Sequence, residues 1–131
     1  MKYCFILILW SQGFLYAQNT DMMVRVAEIE VDSIYLDSYY NILKKEAEAS
    51  VRLEPEVLCI YPMYQSGNPT KVQILEVYAS RQAYELHLMT PHFLEYKTST
   101  TKMIKSLNLI DMEALDMETM PKIFLKSNNK P

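Results

Sequence analysis

Along this chain the spacing of apolar residues switches between two and three-to-four, and each switch marks a change of element. Met22 to Val31 (MMVRVAEIEV) alternates and is rich in β-branched residues, which predicts a strand. Asp32 or Ser33 then caps a helix with apolar positions at Leu36, Tyr39 or Tyr40, Leu43, Ala47 and Val51. Lys44, Lys45, Glu46 and Glu48 are read as its wet side, and Pro55 stops it. Val57 to Tyr64 (VLCIYPMY) predicts a second strand, with Pro62 marking an edge or a bulge. Gln65-Ser66-Gly67-Asn68-Pro69 is a loop of turn-forming residues. Lys71 to Ala79 (KVQILEVYA) alternates again and should pair antiparallel with the second strand. Ser80 caps a helix running to about Leu88, and Thr90-Pro91 restarts one whose face continues through Phe93, Tyr96, Thr100 and Met103. Leu107 to Glu113 predicts the fourth strand, Lys122 to Lys126 a short edge strand or arm, and residues 127–131 a frayed tail.

The order β-α-β-β-α-β predicts an α+β, ferredoxin-like sandwich, an antiparallel sheet with its helices on one face. The second strand is read with Val57, Cys59, Tyr61 and Met63 on one side and Leu58, Ile60 and Tyr64 on the other. Both sides are apolar, so both need cover. Two such sheets packed face to face in a symmetric homodimer provide it, forming a dimeric α/β-barrel able to enclose a cavity.

The first residues read differently. Lys2 precedes the apolar run 3–10, polar Ser11-Gln12-Gly13 interrupts it, and Ala17 offers a small residue at a cut before Gln18. That is the pattern of a secretory signal peptide over residues 1–17, and the run is too short for a spanning helix. Export to the periplasm or the exterior is the expectation, with no membrane association after cleavage and one domain over residues 18–131. Cleavage removes Cys4 and Trp10 and leaves Cys59 as the sole cysteine, so no internal disulfide forms. Cys59 lies in an apolar run and reads as a buried, inert thiol.

Composition narrows the classes further. With 131 residues, 50% of them hydrophobic and 22% charged, the chain can bury a core and is not a disordered segment. A net charge of −3, which becomes more negative once Lys2 is lost, argues against nucleic acid as a partner.

The residues then carry a resemblance. The strand Val24-Arg25-Val26-Ala27-Glu28-Ile29, the helix segment Glu46-Ala47-Glu48-Ala49-Ser50-Val51-Arg52, Glu54-Pro55-Glu56-Val57-Leu58, Ile74-Leu75-Glu76-Val77-Tyr78 and the block His87-Leu88-Met89-Thr90-Pro91-His92-Phe93 belong together. As a combined string over about residues 23–112, with Glu56 where many relatives have glycine, it resembles the antibiotic biosynthesis monooxygenase family, in particular its quinol-monooxygenase-like members. The resemblance implies oxidation of a quinol- or polyphenol-like molecule by oxygen with no metal, flavin or other cofactor. Relatives that degrade haem place a tryptophan beside an asparagine and a histidine, and the chain beyond residue 17 has no tryptophan.

On the residues themselves, His87 shares a helical face with Ala83, and His92 opens the next helical segment beside Phe93 and Tyr96. Imidazole titrates near neutrality and can take a phenolic proton, which makes the substrate an anion able to reduce oxygen. His87 is the first candidate for that base and His92 the second. Glu76, on the side of its strand that carries Val72, Ile74 and Tyr78, is the candidate orienting carboxylate. Tyr61, Tyr64 and Tyr96 are candidate substrate-binding hydroxyls. Each also has a structural reading: the histidines as a helix junction, Glu76 as the ion-pair partner of Arg25, the tyrosines as core. Two histidines five apart across a proline form no i,i+4 pair, so spacing gives no metal site. A non-catalytic carrier or sensor of a small apolar aromatic ligand would use the same barrel.

Overall fold

The computed structural model describes residues 22–115; the expected leader at 1–17, the arm at 122–126 and the tail at 127–131 lie outside them. The elements are β1 (Met23–Val31), α1 (Leu36–Leu53), β2 (Val57–Gln65), β3 (Asn68–Tyr78), α2 (Arg81–His87), α3 (Pro91–Thr100) and β4 (Ile104–Met112). Single 3-10 turns at Ser33–Tyr35 and Thr101–Met103 lead into α1 and out of α3. Side-chain caps start the helical segments where the sequence places them. Asp32 accepts from the Ile34 amide at 3.2 Å, Ser80 from Ala83 at 3.0 Å and Thr90 from Phe93 at 3.4 Å, with Pro91 in the first turn of α3.

The sheet order is β2-β3-β1-β4, and every neighbouring pair is antiparallel. This is the ferredoxin-like α+β arrangement. The main core lies between one sheet face and the helices: Ala27, Ile29 and Val31 of β1, Ile60 of β2 and Val72, Ile74 and Tyr78 of β3 meet Tyr39, Leu43 and Ala47 of α1 and Ala83 of α2. Burying each of the larger aliphatic side chains contributes ~2 kcal/mol against exposure.

The hairpin between β2 and β3 is tighter than the predicted five-residue loop. β3 begins at Asn68, and Gly67, at φ +78°, takes the left-handed turn position that glycine adopts without strain.

The expected facing of β2 is corrected at its start. Val57 pairs with Tyr78 and Cys59 with Val77, so Leu58 is an extra residue in a bulge. The bulge turns Val57 to the helix side with Ile60, and leaves Leu58 beside Cys59 and Val77 on the opposite face. A bulge shifts side-chain parity by one, which strict alternation cannot register. Cys59 is buried there, and burial pushes its thiol up.

A second correction concerns α1. Glu46, read as solvated, is buried at 6% exposure on the stripe formed by Tyr39, Leu43, Ala47 and Ser50.

Candidate functional site

A cavity of about 560 Å³ lies between the helix-facing side of the sheet and α2 and α3. Arg25 of β1 and Glu76 and Tyr78 of β3 line it from the sheet, and Phe93, Tyr96 and Thr100 from α3. The helices do not reach across β4. Leu107 and Leu109 line the cavity there and stay about half exposed, at 56% and 48%.

Arg25 and Glu76 stand opposite each other in the β1–β3 register. The expected ion pair between them is not what holds the arginine. Arg25 donates from Nε and Nη2 to Asp111 Oδ1 at 2.8 and 2.7 Å, and its guanidinium carbon lies 4.4 Å from the centre of the Tyr84 ring. Arg81 donates to the other oxygen of Asp111 at 3.3 Å. Burial therefore pushes the Glu76 carboxyl up to about 7, despite the opposing pull of the Arg25 charge.

Tyr78, fully buried on the same strand face, has a hydroxyl with no hydrogen-bond partner among the described residues. The Glu76 carboxyl is its near neighbour. A buried hydroxyl left unpaired costs ~1–3 kcal/mol, so a polar ligand atom is the natural occupant. Tyr78→Phe is accordingly expected to raise stability by ~1 kcal/mol in urea unfolding, because it removes the unpaired group. The same variant is expected to weaken binding of a hydroxylated aromatic ligand about tenfold, for loss of one hydrogen bond. Loss of stability with unchanged binding would show that the hydroxyl serves the fold.

Behind the α2–α3 side of the cavity is a partly buried polar cluster. His87 Nδ1 lies 2.8 Å and His92 Nε2 2.7 Å from the same oxygen, Glu54 Oε2. The other nitrogen of His87 faces Glu46 Oε1 at 3.5 Å, and Ser50 Oγ donates to that oxygen at 2.6 Å. Thr90, at the junction of α2 and α3, donates its hydroxyl to the His87 carbonyl at 2.7 Å. His87 lines the cavity, yet it is only 2% exposed and both ring nitrogens face carboxylates.

The sequence candidates thus separate. Glu76, His87 and Tyr96 line the cavity, and the Tyr96 and Tyr39 hydroxyls share a hydrogen bond of 2.8 Å. His92 lies behind the wall in the polar cluster. Tyr61 and Tyr64 do not reach the cavity. Tyr64 stacks on Tyr40 of α1 with ring centres 5.5 Å apart, and Tyr61 stands at 53% exposure on the opposite strand face. Glu46 and Glu54 are the site residues that the sequence reading passed over. Helical spacing held the signal for Glu46, which is three residues from Leu43 and four from Ser50. Glu54 gave only its place before the helix-stopping Pro55.

The model of the antibiotic biosynthesis monooxygenase family matches residues 22–99. No curated protein matches the chain. Among solved structures, a protein of Bacteroides thetaiotaomicron bearing that family name is 44% identical, with a TM-score of 0.72 over 73% of this chain and 91% of that one. One from Lactobacillus acidophilus, a monooxygenase by name, is 30% identical with a TM-score of 0.68 over 72% of this chain. The match covers 44% of that protein, which is therefore more than twice as long as the shared region. A Nitrosomonas europaea protein of the same family name shares the fold at 20% identity, with a TM-score of 0.69 over 77% of this chain and 96% of its own.

Proposed function

The chain belongs to the antibiotic biosynthesis monooxygenase family, and on that premise we propose that it uses molecular oxygen to oxidise a quinol- or polyphenol-like molecule in the cavity between sheet and helices. The supporting observation is the combination, in one cavity, of a carboxyl at about 7 and an unpaired tyrosine hydroxyl, Glu76 and Tyr78. A volume of about 560 Å³ is in the range of sites for small organic ligands.

In this reading Glu76, not His87, is the base. Both nitrogens of His87 are committed to Glu54 and Glu46, whereas the Glu76 carboxyl forms no ion pair among the described residues and titrates near neutrality. Glu76 takes the substrate hydroxyl proton, and the Tyr78 hydroxyl donates to the resulting anion with the Arg25 charge nearby. The anion gives one electron to oxygen, forming a substrate radical and superoxide. The two combine at a ring carbon as a peroxide anion, which takes the proton back from Glu76, and the resulting hydroperoxide loses water to leave a carbonyl. One oxygen atom stays in the product. The other departs as water with the two hydrogens that the substrate has lost.

Oxygen-electrode measurements on a panel of quinols test this, with one oxygen consumed per quinol and one labelled atom from ¹⁸O₂ in the product. Saturable binding with no oxygen uptake would replace the enzyme by a carrier or sensor.

The open face of the sheet supports a homodimer. Val24 and Leu75 lie half-buried there, and Tyr61, Met63 and Met112 are exposed beside them. A second copy on this face would bury more than ~1,000 Å², enough for a stable pair. Light scattering at micromolar concentration is expected to give twice the chain mass, and a stable soluble monomer would refute the pairing. The signal-like pattern ending at Ala17 supports action outside the cytoplasm.

A further inference from the structure

The reaction just described leaves Glu54, His87 and His92 without a task. We infer that these three residues form a binding site for a divalent transition metal of the zinc class, distinct from the oxidation chemistry and bracing the helix junction. The donors arrive from three separate elements. Glu54 is the residue capping the C-terminus of α1, His87 ends α2, and His92 is in the first turn of α3. Their ligand atoms lie within 4.8 Å of one another, with His87 Nδ1 and His92 Nε2 both aimed at Glu54 Oε2.

The geometry is near that of a metal site, tighter along the two His–Glu edges and within 4.8 Å along the His–His edge. With metal–donor bonds of about 2.0–2.2 Å, tetrahedral coordination sets neighbouring donors about 3.3 Å apart. The two His–Glu separations are 2.8 and 2.7 Å. Opening each by about half an ångström, a side-chain adjustment, admits the ion and leaves one coordination position for water. Two imidazoles with one carboxylate favour zinc, cobalt, nickel and copper over magnesium and calcium, which prefer all-oxygen sets.

A second feature points the same way. A histidine bound to a metal through one nitrogen characteristically turns the other towards a carboxylate, which fixes its ring. His87 has that carboxylate in place: its Nε2 faces Glu46 Oε1 at 3.5 Å, and Glu46 is itself held by Ser50. The Phe93 and Tyr78 rings, 5.0 and 5.5 Å from the imidazole centre, confine it further. The Glu54 and His92 side chains each retain 16% exposure, so the cluster has a route to solvent where His87 has none.

Isothermal titration of the untagged, chelator-treated full chain with Zn²⁺ tests the site. The expected result is one ion per chain with a Kd below about 50 μM, and no uptake of Mg²⁺ at the same concentration. Co²⁺ should give the visible absorption of a four-coordinate ion, and saturating Zn²⁺ should raise Tm by about 5 °C or more. His92→Ala and Glu54→Gln should each weaken Zn²⁺ binding at least about tenfold, while Glu30→Gln, remote from the cluster, leaves it unchanged. Weaker or substoichiometric binding, or a tenfold loss missing from His92→Ala, would overturn the site and leave the three residues as a hydrogen-bonded junction. Because His92 is partly exposed, that variant decides the matter even if Glu54→Gln fails to fold. Oxygen uptake is not a readout here, so the outcome stands apart from that of the proposed reaction.

Discussion

Glu76→Gln is expected to lower oxygen-dependent turnover by ~10²–10⁴ while the chain still folds, since glutamine keeps the shape of the side chain and loses its basicity. The base must be ionised to act. With its carboxyl at about 7, wild-type activity should therefore rise with pH through about 7 and level off above it. The glutamine variant should retain only a small activity with no such rise. A variant that kept both the rate and the pH profile would exclude Glu76 as the base.

The same carboxyl links stability to pH. The folded chain holds this proton more tightly than the unfolded chain, where the ordinary value is 4.5. Its stabilising contribution is thus complete below about pH 4.5 and is lost as pH rises through about 7, a change of ~3 kcal/mol. Urea unfolding should show Glu76→Gln more stable than wild type at pH 8, with the two converging near pH 4. Equal stability at pH 8 would mean that burial does not raise this carboxyl.

The second large effect is structural. His87→Ala is expected to destabilise the fold by ~3–5 kcal/mol, well beyond the effect of an ordinary surface change. The imidazole is 2% exposed, flanked by the Tyr78 and Phe93 rings, and its loss opens a void. It also takes away the partner that faces Glu54 at 2.8 Å and Glu46 at 3.5 Å, leaving buried carboxylates less satisfied. For a domain of this size the melting temperature should drop by about 15 °C or more, measured by circular dichroism. His92→Ala, at a partly exposed ring, should cost ~1–2 kcal/mol. An unshifted melt for His87→Ala would make the imidazole dispensable to the fold and reopen its assignment as the base.

Much of the architecture could be read from local pattern. The alternation of Met23–Val31, the helical spacing from Leu36 onward, and the Ser80 and Thr90-Pro91 caps each encode an element within a few residues. What escaped was decided by partners distant in sequence. The Leu58 bulge arises in the pairing of β2 with β3, so no reading of β2 alone reveals that Val57 turns towards the helices. Glu46 looks like its solvated neighbours Lys44, Lys45 and Glu48 until His87, from another helix, comes to face it. Glu54 meets His87 and His92 across separations of 33 and 38 residues. Glu76 was legible as a carboxylate among apolar residues, but the loss of Arg25 as its partner was not, because Asp111, far along the chain, takes Arg25 instead.

That last contact sets an order of events during synthesis. Arg25 is on β1, near the start of the described residues, and its carboxylate partner is 86 residues later on β4, the last strand among them. β1 pairs with β3 on one side and β4 on the other, so its second edge stays unpaired until β4 has been made. Closing so long a loop is slow relative to local helix formation. A ribosome-bound chain lacking β4 would hold Arg25 against the apolar wall of the cavity without the counter-charge that orients it. The cavity therefore reaches its working charge arrangement only once β4 has joined the sheet, and a chain terminated before Asp111 should be unable to complete it.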